Sequence, residues 1–466
     1  DLDGSHIKGL CVNLFEAQWH SLINFSIIGF MNTPILKARK GTQELVFYNE
    51  NDYLTWKEHD MIGNWRIKYY KGLGTSTSKE FKEYFQHKKI INFTHSPSCD
   101  NCIDMVFNKK RADDRKQWLA TYDRTDTLNT NNNTVSFTDF INKEMKHFSK
   151  YDCDRSIPNL IDGLKISQRK ILYAAFKKRL TNEIKVAQFS GYVSEHSCYH
   201  HGEASLNGAI VGLAQDYVGS NNINLFQPNG QFGTRLNGGK DSASERYIYT
   251  LLNPMTRYIF REEDDVILKY LDDDGTPVEP IYYIPIIPML LVNGSKGIGT
   301  GFSTDIPCYN QSTIIDYLTD YLNGKSVETY EFKPFYKGFT GNISVIESTP
   351  SKYIVCGSYE IMNDTQIRIT ELPIGTWTDD YKKFLEDLLD KTKSPVRDFN
   401  DMSTDVSVDI VVKLTPGSIS SIKGSITDPN YDGIHKYFKL VSSISTTNMN
   451  AFDHAEHLQH YTSPTE

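Results

Sequence analysis

Arg246 and Tyr247 are the adjacent residues of this sequence best suited to covalent chemistry on a phosphate. An unperturbed tyrosine hydroxyl has a pKa of about 10, so as a nucleophile at neutral pH it needs a base, a cation or a metal ion. The Arg246 guanidinium stays charged and matches the geometry of phosphate oxygens. The pair therefore predicts attack of Tyr247 on a phosphodiester, with Arg246 stabilising the non-bridging oxygens.

Context separates this pair from the many Arg-Tyr pairs that simply lie on solvated surfaces. A glycine-rich segment, residues 231–241, immediately precedes it and has the composition of a tight loop. We therefore predict that Tyr247 is a nucleophile and that Arg246 acts beside it.

Asp1 and Asp3, at the start of the sequence, are candidate ligands for Mg²⁺, which prefers hard oxygen donors. An ion bound there would neutralise charge around the scissile or an adjacent phosphate. A structural alternative remains open, in which Asp3 caps the N-terminus of a helix.

Residues 196–203 bring together side chains that can bind transition metals, namely His196, Cys198, His200, His201 and Glu203. A closed metal site is the less favoured interpretation, because no compact ligand pair completes it. The seven cysteines are otherwise scattered, and Cys99 and Cys102 have no second pair at zinc-site spacing. Reduced thiols are the expected state.

Basic side chains are candidate contacts to DNA phosphates, and some are interleaved with tyrosines that could stack. For each of them the alternative is a solvated basic face. The candidates are Lys68, Lys71, Lys165, Arg169, Lys170, His200, Arg235 and Lys240. Ile298, between Gly297 and Gly299, is a candidate apolar wedge that unstacks and bends DNA, with an ordinary glycine turn as the alternative.

The elements that must position these residues follow from apolar spacing. Residues 1–6 suggest a strand end and turn that feed a helix, and residues 26–30 and 44–48 suggest strands. Helices are predicted over 79–90, with Phe81, Tyr84 and Phe85 on one face, over 166–180 and over 203–218. Two helices followed by the glycine-rich segment favour a winged-helix unit. Later strands are predicted at 340–345, 366–370 and 406–414.

The predicted fold class is multidomain α/β and α+β. Residues 1–124 form a partial Toprim (Rossmann-like) unit with its extension, and an Asn/Thr-rich connector spans 125–136. A winged-helix DNA-cleavage domain spans 137–265, and a mixed α+β tower or shoulder domain spans 266–466.

Charge is distributed unevenly along the chain, whose formal net charge is −8. Residues 1–260 hold about 33 Lys and Arg and about 27 acids, whereas residues 261–466 hold about 17 and about 31. A basic first half is weak support for a nucleic-acid partner. The longest apolar run, residues 281–292, contains two prolines and is too short to span a bilayer, so no membrane association is expected. A first residue other than Met, with no signal-peptide pattern, suggests a fragment of a longer protein.

Four blocks in order resemble the DNA-cleaving core of the eukaryotic-type type IIA DNA topoisomerases. They are Asp1 to Leu10 (DLDGSHIKGL) with Lys68 to Ser76 (KYYKGLGTS), Arg155 to Pro158 (RSIP) with Gln168 to Lys170, Tyr199 to Glu203 (YHHGE) leading to Ala243 to Tyr247 (ASERY), and Asn293-Gly294 with Gly297 to Gly301 and Ile306-Pro307. The resemblance covers nearly the whole chain.

The resemblance implies reversible cleavage of both DNA strands through a 5′-phosphotyrosine on Tyr247. It gives Arg155 as a second cation, His201 as a base acting through water or a phosphate ligand, and His200 a place near DNA. It also implies two Mg²⁺ ions per active site, a homodimer whose protomers share each site, and strand passage driven by ATP in the full-length enzyme only.

The sequence departs from the family at three places. Glu245 stands where a small residue or Pro is usual, so a carboxylate neighbours Arg246. The family's acidic Glu and first Asp would precede Asp1 and are absent from this sequence. Ile166-Ser167 and Phe302 also differ, which suggests a large cytoplasmic DNA virus, with the host cytoplasm as location, whereas a cellular enzyme would be nuclear. The rival functions are a non-catalytic DNA-bending module and a different Toprim enzyme, such as a nuclease or primase.

Overall fold

Two units of structure divide the chain. The computed structural model describes residues 2–59, 65–70, 72–130, 132–273, 276–426 and 428–466. Unit 1 comprises residues 1–154 with 298–302, and unit 2 comprises residues 155–297 with 303–466. This division by internal contacts differs from the boundaries at 125, 137 and 266, which concern functional domains and stay predictions.

Unit 1 combines helices with two small sheets. Its helices are α1 (Leu2–Asn24), α2 (Glu50–His59), α3 (Ser78–Gln86), α4 (Cys99–Phe107), α5 (Ala112–Ala120), α6 (Phe137–Phe140) and α7 (Lys146–Ser156), which runs on to the boundary. Its strands are β1 (Gly29–Met31), β2 (Leu36–Lys40), β3 (Gln43–Phe47), β4 (Arg66–Tyr69), β5 (Ile90–Thr94) and β6 (Thr134–Ser136). The sheets have the orders β1-β5-β6 and β3-β2-β4, and only the β5–β6 pair in them is parallel.

The core of unit 1 is aromatic. The rings of Phe93 and Phe137 stack with centroids 4.6 Å apart, and Phe140 meets Phe93 edge-on. All three side chains are almost completely buried, so they hold β5 against α6. The connector predicted at 125–136 ends in strand β6, which extends this sheet.

Two predictions for unit 1 need correction. From Leu2 onward the chain is already helical, so Asp3 to His6 form the first turns of α1 and not a strand end and turn. Helix α3 ends at Gln86, and Phe85 is 58% exposed while Tyr84 is buried. Residues 81 and 84 share a face because they are three apart, but residue 85 lies about 100° further round the helix.

Unit 2 begins with helices packed around one apolar core. They are α8 (Ile166–Lys178), α9 (Val186–His196), α10 (Glu203–Ala214), α11 (Thr256–Ile259), α12 (Met289–Asn293) and α13 (Gln311–Leu322). The buried side chains of Ile171, Phe189, Ile210 and Phe226 lie in this core. Helix α8 confirms the predicted amphipathic segment. Helix α10 ends at Ala214, four residues before the predicted end, because Gln215 adopts an extended conformation.

Antiparallel strands dominate the rest of unit 2. Short strands β7 (Ile184–Lys185) and β8 (Tyr249–Thr250) pair, as do β9 (Tyr270–Asp273) with β10 (Thr276–Pro280), β11 (Ser295–Ile298) with β12 (Ser303–Ile306), and β20 (Met449–Phe452) with β21 (Leu458–Tyr461). Three strands form the sheet β13 (Asn342–Ile346), β14 (Thr349–Cys356) and β19 (Val441–Ser445).

A four-stranded sheet completes unit 2. In sheet order it contains β15 (Ser358–Asn363), β16 (Gln366–Glu371), β18 (Ile410–Leu414) and β17 (Val396–Asp401). Burial alternates along β16, with Ile367 and Ile369 fully buried, as expected for a sheet with one covered face. Helices α14 (Thr378–Asp390), α15 (Ser418–Lys423) and α16 (Gly433–Tyr437) contribute to the same core. No helix in the described ranges is both long enough and apolar enough to cross a bilayer.

Candidate active site

Tyr247 has an exposed side chain on an anchored backbone. Its side chain is 72% exposed, whereas the next residue, Ile248, is 1% exposed. The carbonyls of Glu245 and Ile248 accept hydrogen bonds from the backbone N–H groups of Ala187 (3.1 Å) and Val186 (3.0 Å) at the start of α9. The phenol therefore projects from a segment that is fixed on both sides, as a positioned nucleophile requires.

Arg246 projects beside it. The guanidinium carbon lies 5.9 Å from the centroid of the Tyr247 ring, and the side chain is exposed. Among the described residues Arg246 forms no ion pair, and the Glu245 carboxylate accepts a hydrogen bond from the Ser244 hydroxyl at 3.3 Å. Glu245 thus does not neutralise Arg246 here, which leaves the guanidinium charge available to an anion.

A groove brings together the two sequence blocks that surround the predicted chemistry. It has a volume of about 440 Å³ and is lined on one side by α10 and on the other by residues that precede Arg246. Glu203 directly follows the YHHG stretch, and Glu245 directly precedes Arg246, so both blocks border one space.

The histidines of residues 196–203 face different partners. His196 stacks on the Tyr192 ring at 3.9 Å, whereas His200 Nε2 lies 3.1 Å from Asp273 Oδ2. The His201 ring meets the ring of Tyr199 edge-on at 5.4 Å. Arg155, in the last turn of α7, is half-buried. These contacts do not favour a shared metal ion among these histidines.

Arg169 is a correction to the predicted DNA contacts. It is buried and forms a bidentate ion pair with the fully buried Asp162, at 2.7 and 3.0 Å, and it also donates to the Leu164 carbonyl. Asp162 accepts from the backbone N–H of Tyr283 as well. Arg169 therefore links α8 to residues 162–164 and cannot reach a phosphate in this structure.

Arg235 is a second correction. It is buried and paired with Glu371 at the end of β16. Glu371 also accepts hydrogen bonds from the backbone and hydroxyl of Thr340, so its charge is fully engaged. Arg235 thus anchors the glycine-rich segment to the four-stranded sheet.

Other contacts hold the glycine-rich segment in place. The Gln215 amide donates to the carbonyls of Phe232 (2.9 Å) and Gly239 (3.3 Å), and Asn237 donates to Asp379 at 2.8 Å. Gly238 has φ +61°, and a Cβ there would lie 2.2 Å from the Trp377 ring. Only glycine fits this conformation and this approach.

The remaining basic candidates differ in how free they are. Lys170 pairs with the buried Glu279 at 2.8 Å, and Lys68 pairs with Glu80 at 2.9 Å. Lys165 donates to the Lys296 carbonyl at 2.6 Å, and burial lowers its pKa. Lys240 is exposed. Lys71 lies outside the described residues, and all except the two corrected arginines stay predictions.

Ile298 is 83% exposed at the end of β11. The neighbouring Gly297 is required by a close approach, because a Cβ there would lie 1.9 Å from the Ser156 carbonyl oxygen. An apolar side chain that projects from a tightly held strand end has the form that a wedge needs.

Asp3 is exposed in the first turn of α1, and Asp1 lies outside the described residues. Since α1 begins at Leu2, Asp3 does not occupy the capping position. Its carboxylate is chemically suited to Mg²⁺, although one carboxylate does not make a complete site.

Sequence reasoning missed the acids that engage the predicted cations. Asp162, Asp273, Glu279 and Glu371 lie in four different segments, and Glu371 is 136 residues from Arg235. Only Asp162 is near its partner in sequence, so only that pair left a local signal.

Known proteins resemble the chain in both units. A family model described as DNA gyrase/topoisomerase IV matches residues 155–466, and one described as "C-terminal associated domain of TOPRIM" matches residues 31–153. The proteins named DNA topoisomerase 2 from Bombyx mori and Arabidopsis thaliana are 47% and 48% identical over 99% and 100% of this chain. The chain spans about a third of the length of these relatives (30% and 32%).

A solved structure agrees with the sequence matches. It is described as the Plasmodium falciparum topoisomerase II DNA-binding, cleavage and re-ligation domain, with a TM-score of 0.84 and 45% identity. The match covers all of this chain and 63% of that one. Since the first family model alone spans about two thirds of the chain, this chain belongs to the DNA gyrase/topoisomerase IV family and is the DNA cleavage and religation core of a type IIA topoisomerase.

Proposed function

We propose that the whole protein passes one DNA duplex through a transient double-strand break in another, using ATP, and so relaxes and decatenates DNA. The observation that carries this proposal is the exposed Tyr247 on its anchored backbone, beside an Arg246 without an acidic partner in the described residues. Relatives named DNA topoisomerase 2 support it.

In the proposed reaction the Tyr247 oxygen attacks phosphorus and loses its proton through water, with His201 as the base or as a phosphate ligand. The bond from phosphorus to the 3′ oxygen breaks, and that oxygen takes up a proton. The products are a 5′-phosphotyrosine and a free 3′ hydroxyl. Arg246 and Arg155 stabilise the charge on the non-bridging oxygens. Because a phosphodiester is broken and a phosphodiester is formed, the hydroxyl can attack the phosphotyrosine and restore the strand.

Asp1 and Asp3 are the residues of this chain that we propose as Mg²⁺ ligands. When bound, the ion would neutralise charge on the phosphate or leaving oxygen. The exposed carboxylate of Asp3 fits this role as a hard oxygen donor.

We further propose a winged-helix arrangement for α8 to α10 with the glycine-rich segment, and a tower or shoulder role for residues 266–466. Lys240 and Ile298 are the exposed candidates for contact with DNA. A homodimer with shared sites would pair two staggered nicks through a two-fold axis. The relatives from cellular eukaryotes favour a nuclear location, and a viral origin stays a prediction.

A cleavage trap tests the proposal. The full-length protein is mixed with supercoiled plasmid and Mg²⁺, denatured with detergent and digested, and linear DNA with peptide on its 5′ ends is measured. Tyr247→Phe should abolish the adduct, because the nucleophilic oxygen is missing. The matched control is Tyr258→Phe, which removes an equally exposed phenol eleven residues away and should leave the adduct unchanged.

An adduct that survives Tyr247→Phe would assign the nucleophile elsewhere. If the unaltered protein binds and bends DNA but never forms an adduct with Mg²⁺ present, the DNA-bending alternative replaces the catalytic proposal.

A further inference from the structure

Three side chains that can bind metals converge in unit 1, away from the candidate active site. They are Glu16 and His20 near the C-terminal end of α1 and Asp100 in the first turn of α4. One ligand atom from each lies within 4.8 Å of the others. Among the described residues, this is the group of three or more His, Cys, Asp and Glu side chains that meets so closely.

The local backbone explains how these side chains meet. Glu16 and His20 are four residues apart, which is one helical turn. Trp19, immediately before His20, departs from helical geometry with φ −142° and ψ 58°, so α1 kinks where the imidazole projects. Asp100 then reaches the imidazole from the start of a second helix.

The distances fit ligands around one ion. His20 Nδ1 lies 3.4 Å from Glu16 Oε1, and His20 Nε2 lies 3.8 Å from Asp100 Oδ2. Two ligands each about 2.1 Å from a tetrahedral Zn²⁺ would lie about 3.4 Å apart, whereas a good hydrogen bond spans about 2.7–3.2 Å. The imidazole thus stands off both carboxylates by the separation expected of ligands that share an ion.

His95 supports one of the ligands from behind. Its Nε2 lies 3.0 Å from Asp100 Oδ1, the oxygen that does not face His20, and its side chain is 23% exposed. Such outer hydrogen bonds between a histidine and a carboxylate orient ligands in metal sites. Asp100 is therefore held with its other oxygen directed toward His20.

We propose that Glu16, His20 and Asp100 bind a divalent transition-metal ion such as Zn²⁺, with water completing the coordination shell and His95 as a positioning residue. The site is separate from the proposed Mg²⁺ ligands, because thirteen helical residues place Glu16 about 20 Å along α1 from Asp3. An imidazole and two carboxylates favour zinc or its neighbours over Mg²⁺, which prefers oxygen donors alone. The proposal does not depend on the proposed function.

The competing arrangement is a protonated His20 that attracts both carboxylates without an ion. The two differ in their response to pH, since metal binding needs a neutral imidazole and weakens as it protonates. Without a site, no ion would be bound at either pH.

The test measures Zn²⁺ bound to the full-length protein by competition with a chromophoric chelator, with saturating Mg²⁺ present. We expect one competing Zn²⁺ per chain at pH 7.5, lost in His20→Asn and in Asp100→Asn and weakened at pH 5.5. His95→Asn should weaken binding by about 10–100-fold. His87→Asn, at an exposed histidine of unit 1, is the matched control and should keep the ion.

Thermal denaturation without metal gives a second readout. If His20→Asn unfolds at the same temperature as the unaltered protein in chelator, and only the unaltered protein is stabilised by Zn²⁺, the loss is one of binding and not of folding. Equal Zn²⁺ affinity and stoichiometry in His20→Asn, Asp100→Asn and the unaltered protein would overturn the proposal.

Discussion

Arg235 and Arg246 belong to one stretch of sequence, but the structure gives their charges opposite surroundings. Arg235 is buried against Glu371, whereas Arg246 is exposed beside Tyr247 and has no ion-pair partner among the described residues. A buried charge needs a fixed counter-charge, so Arg235 is committed to the fold. An exposed charge is available to a phosphate, so Arg246 is the residue suited to chemistry.

Arg235→Ala should destabilise unit 2. It leaves the Glu371 carboxylate buried without its cation, which costs about 3–5 kcal/mol in comparable buried pairs. Thermal denaturation should show a clearly lower melting temperature. The matched control is Arg368→Ala on the same strand, β16, whose pair with Asp409 is more exposed and should matter much less. Equal effects of the two changes would contradict the structural role of Arg235.

Glu80 predicts a pH dependence for unit 1. Burial alone would raise its pKa, but hydrogen bonds outweigh burial and hold the pKa well below the ordinary 4.5; they come from Thr77, Tyr70 and Lys68. Because the folded pKa is lowered, ionised Glu80 stabilises the unit above pH 4.5, and this contribution is lost as pH falls toward the folded pKa.

The measurement compares the melting temperatures of the unaltered protein and Glu80→Gln across pH. The difference should be largest at neutral pH and should shrink below pH 4.5. Glu58→Gln, at an exposed carboxylate, should change little throughout. A difference that stays constant with pH would show that the Glu80 charge does not contribute.

At the scale of elements, the glycine-rich segment is positioned by contacts from several parts of unit 2. Gln215 from the end of α10, Asp379 from α14 and Glu371 from β16 all bind it. These contacts fix the chain shortly before Arg246. The geometry of the candidate active site therefore depends on elements that are distant in sequence.

Gly238→Ala should disturb this docking. The new Cβ combines a positive φ with overlap of the Trp377 ring, and we expect a loss of at least about 1 kcal/mol together with weaker DNA cleavage. Gly324→Ala separates the two causes, because Gly324 has φ +70° with nothing within 4 Å of the new atom. Melting temperature and adduct yield measure both effects, and equal losses would assign the effect to backbone strain alone.

At the scale of the whole molecule, the net charge of −8 conceals a basic first half and an acidic second half. Many of the basic residues are neutralised locally, as Lys68 is by Glu80 and Lys170 by Glu279. The charge available to DNA is therefore smaller than composition suggests, and exposed residues such as Lys240 matter more.

Lys240→Ala should weaken binding of the full-length protein to duplex DNA and reduce the slope of log affinity against log salt by about one. Fluorescence anisotropy at several salt concentrations measures this slope. Lys325→Ala is the control, because Lys325 lies in the acidic half and pairs with Asp320 at 2.7 Å. An unchanged slope in Lys240→Ala would remove this residue from the DNA contacts.

Residue types and local spacing determined much about this protein. Tyr247 after Arg246 and a glycine-rich segment, the ordered blocks of the family and helix α8 all follow from neighbouring positions in the sequence. Where an element ends proved harder, as at Ala214, because Gln215 leaves the helix to bind residues 232 and 239.

Only the tertiary structure decided which charges are available. Arg169, Arg235 and Arg246 are equally basic in sequence, yet two are buried in ion pairs and one is exposed. The same holds for His20, whose two carboxylate neighbours come from helices about eighty residues apart. Electrostatic energy depends on distance and burial, and both are set by contacts between segments that the order of residues does not reveal.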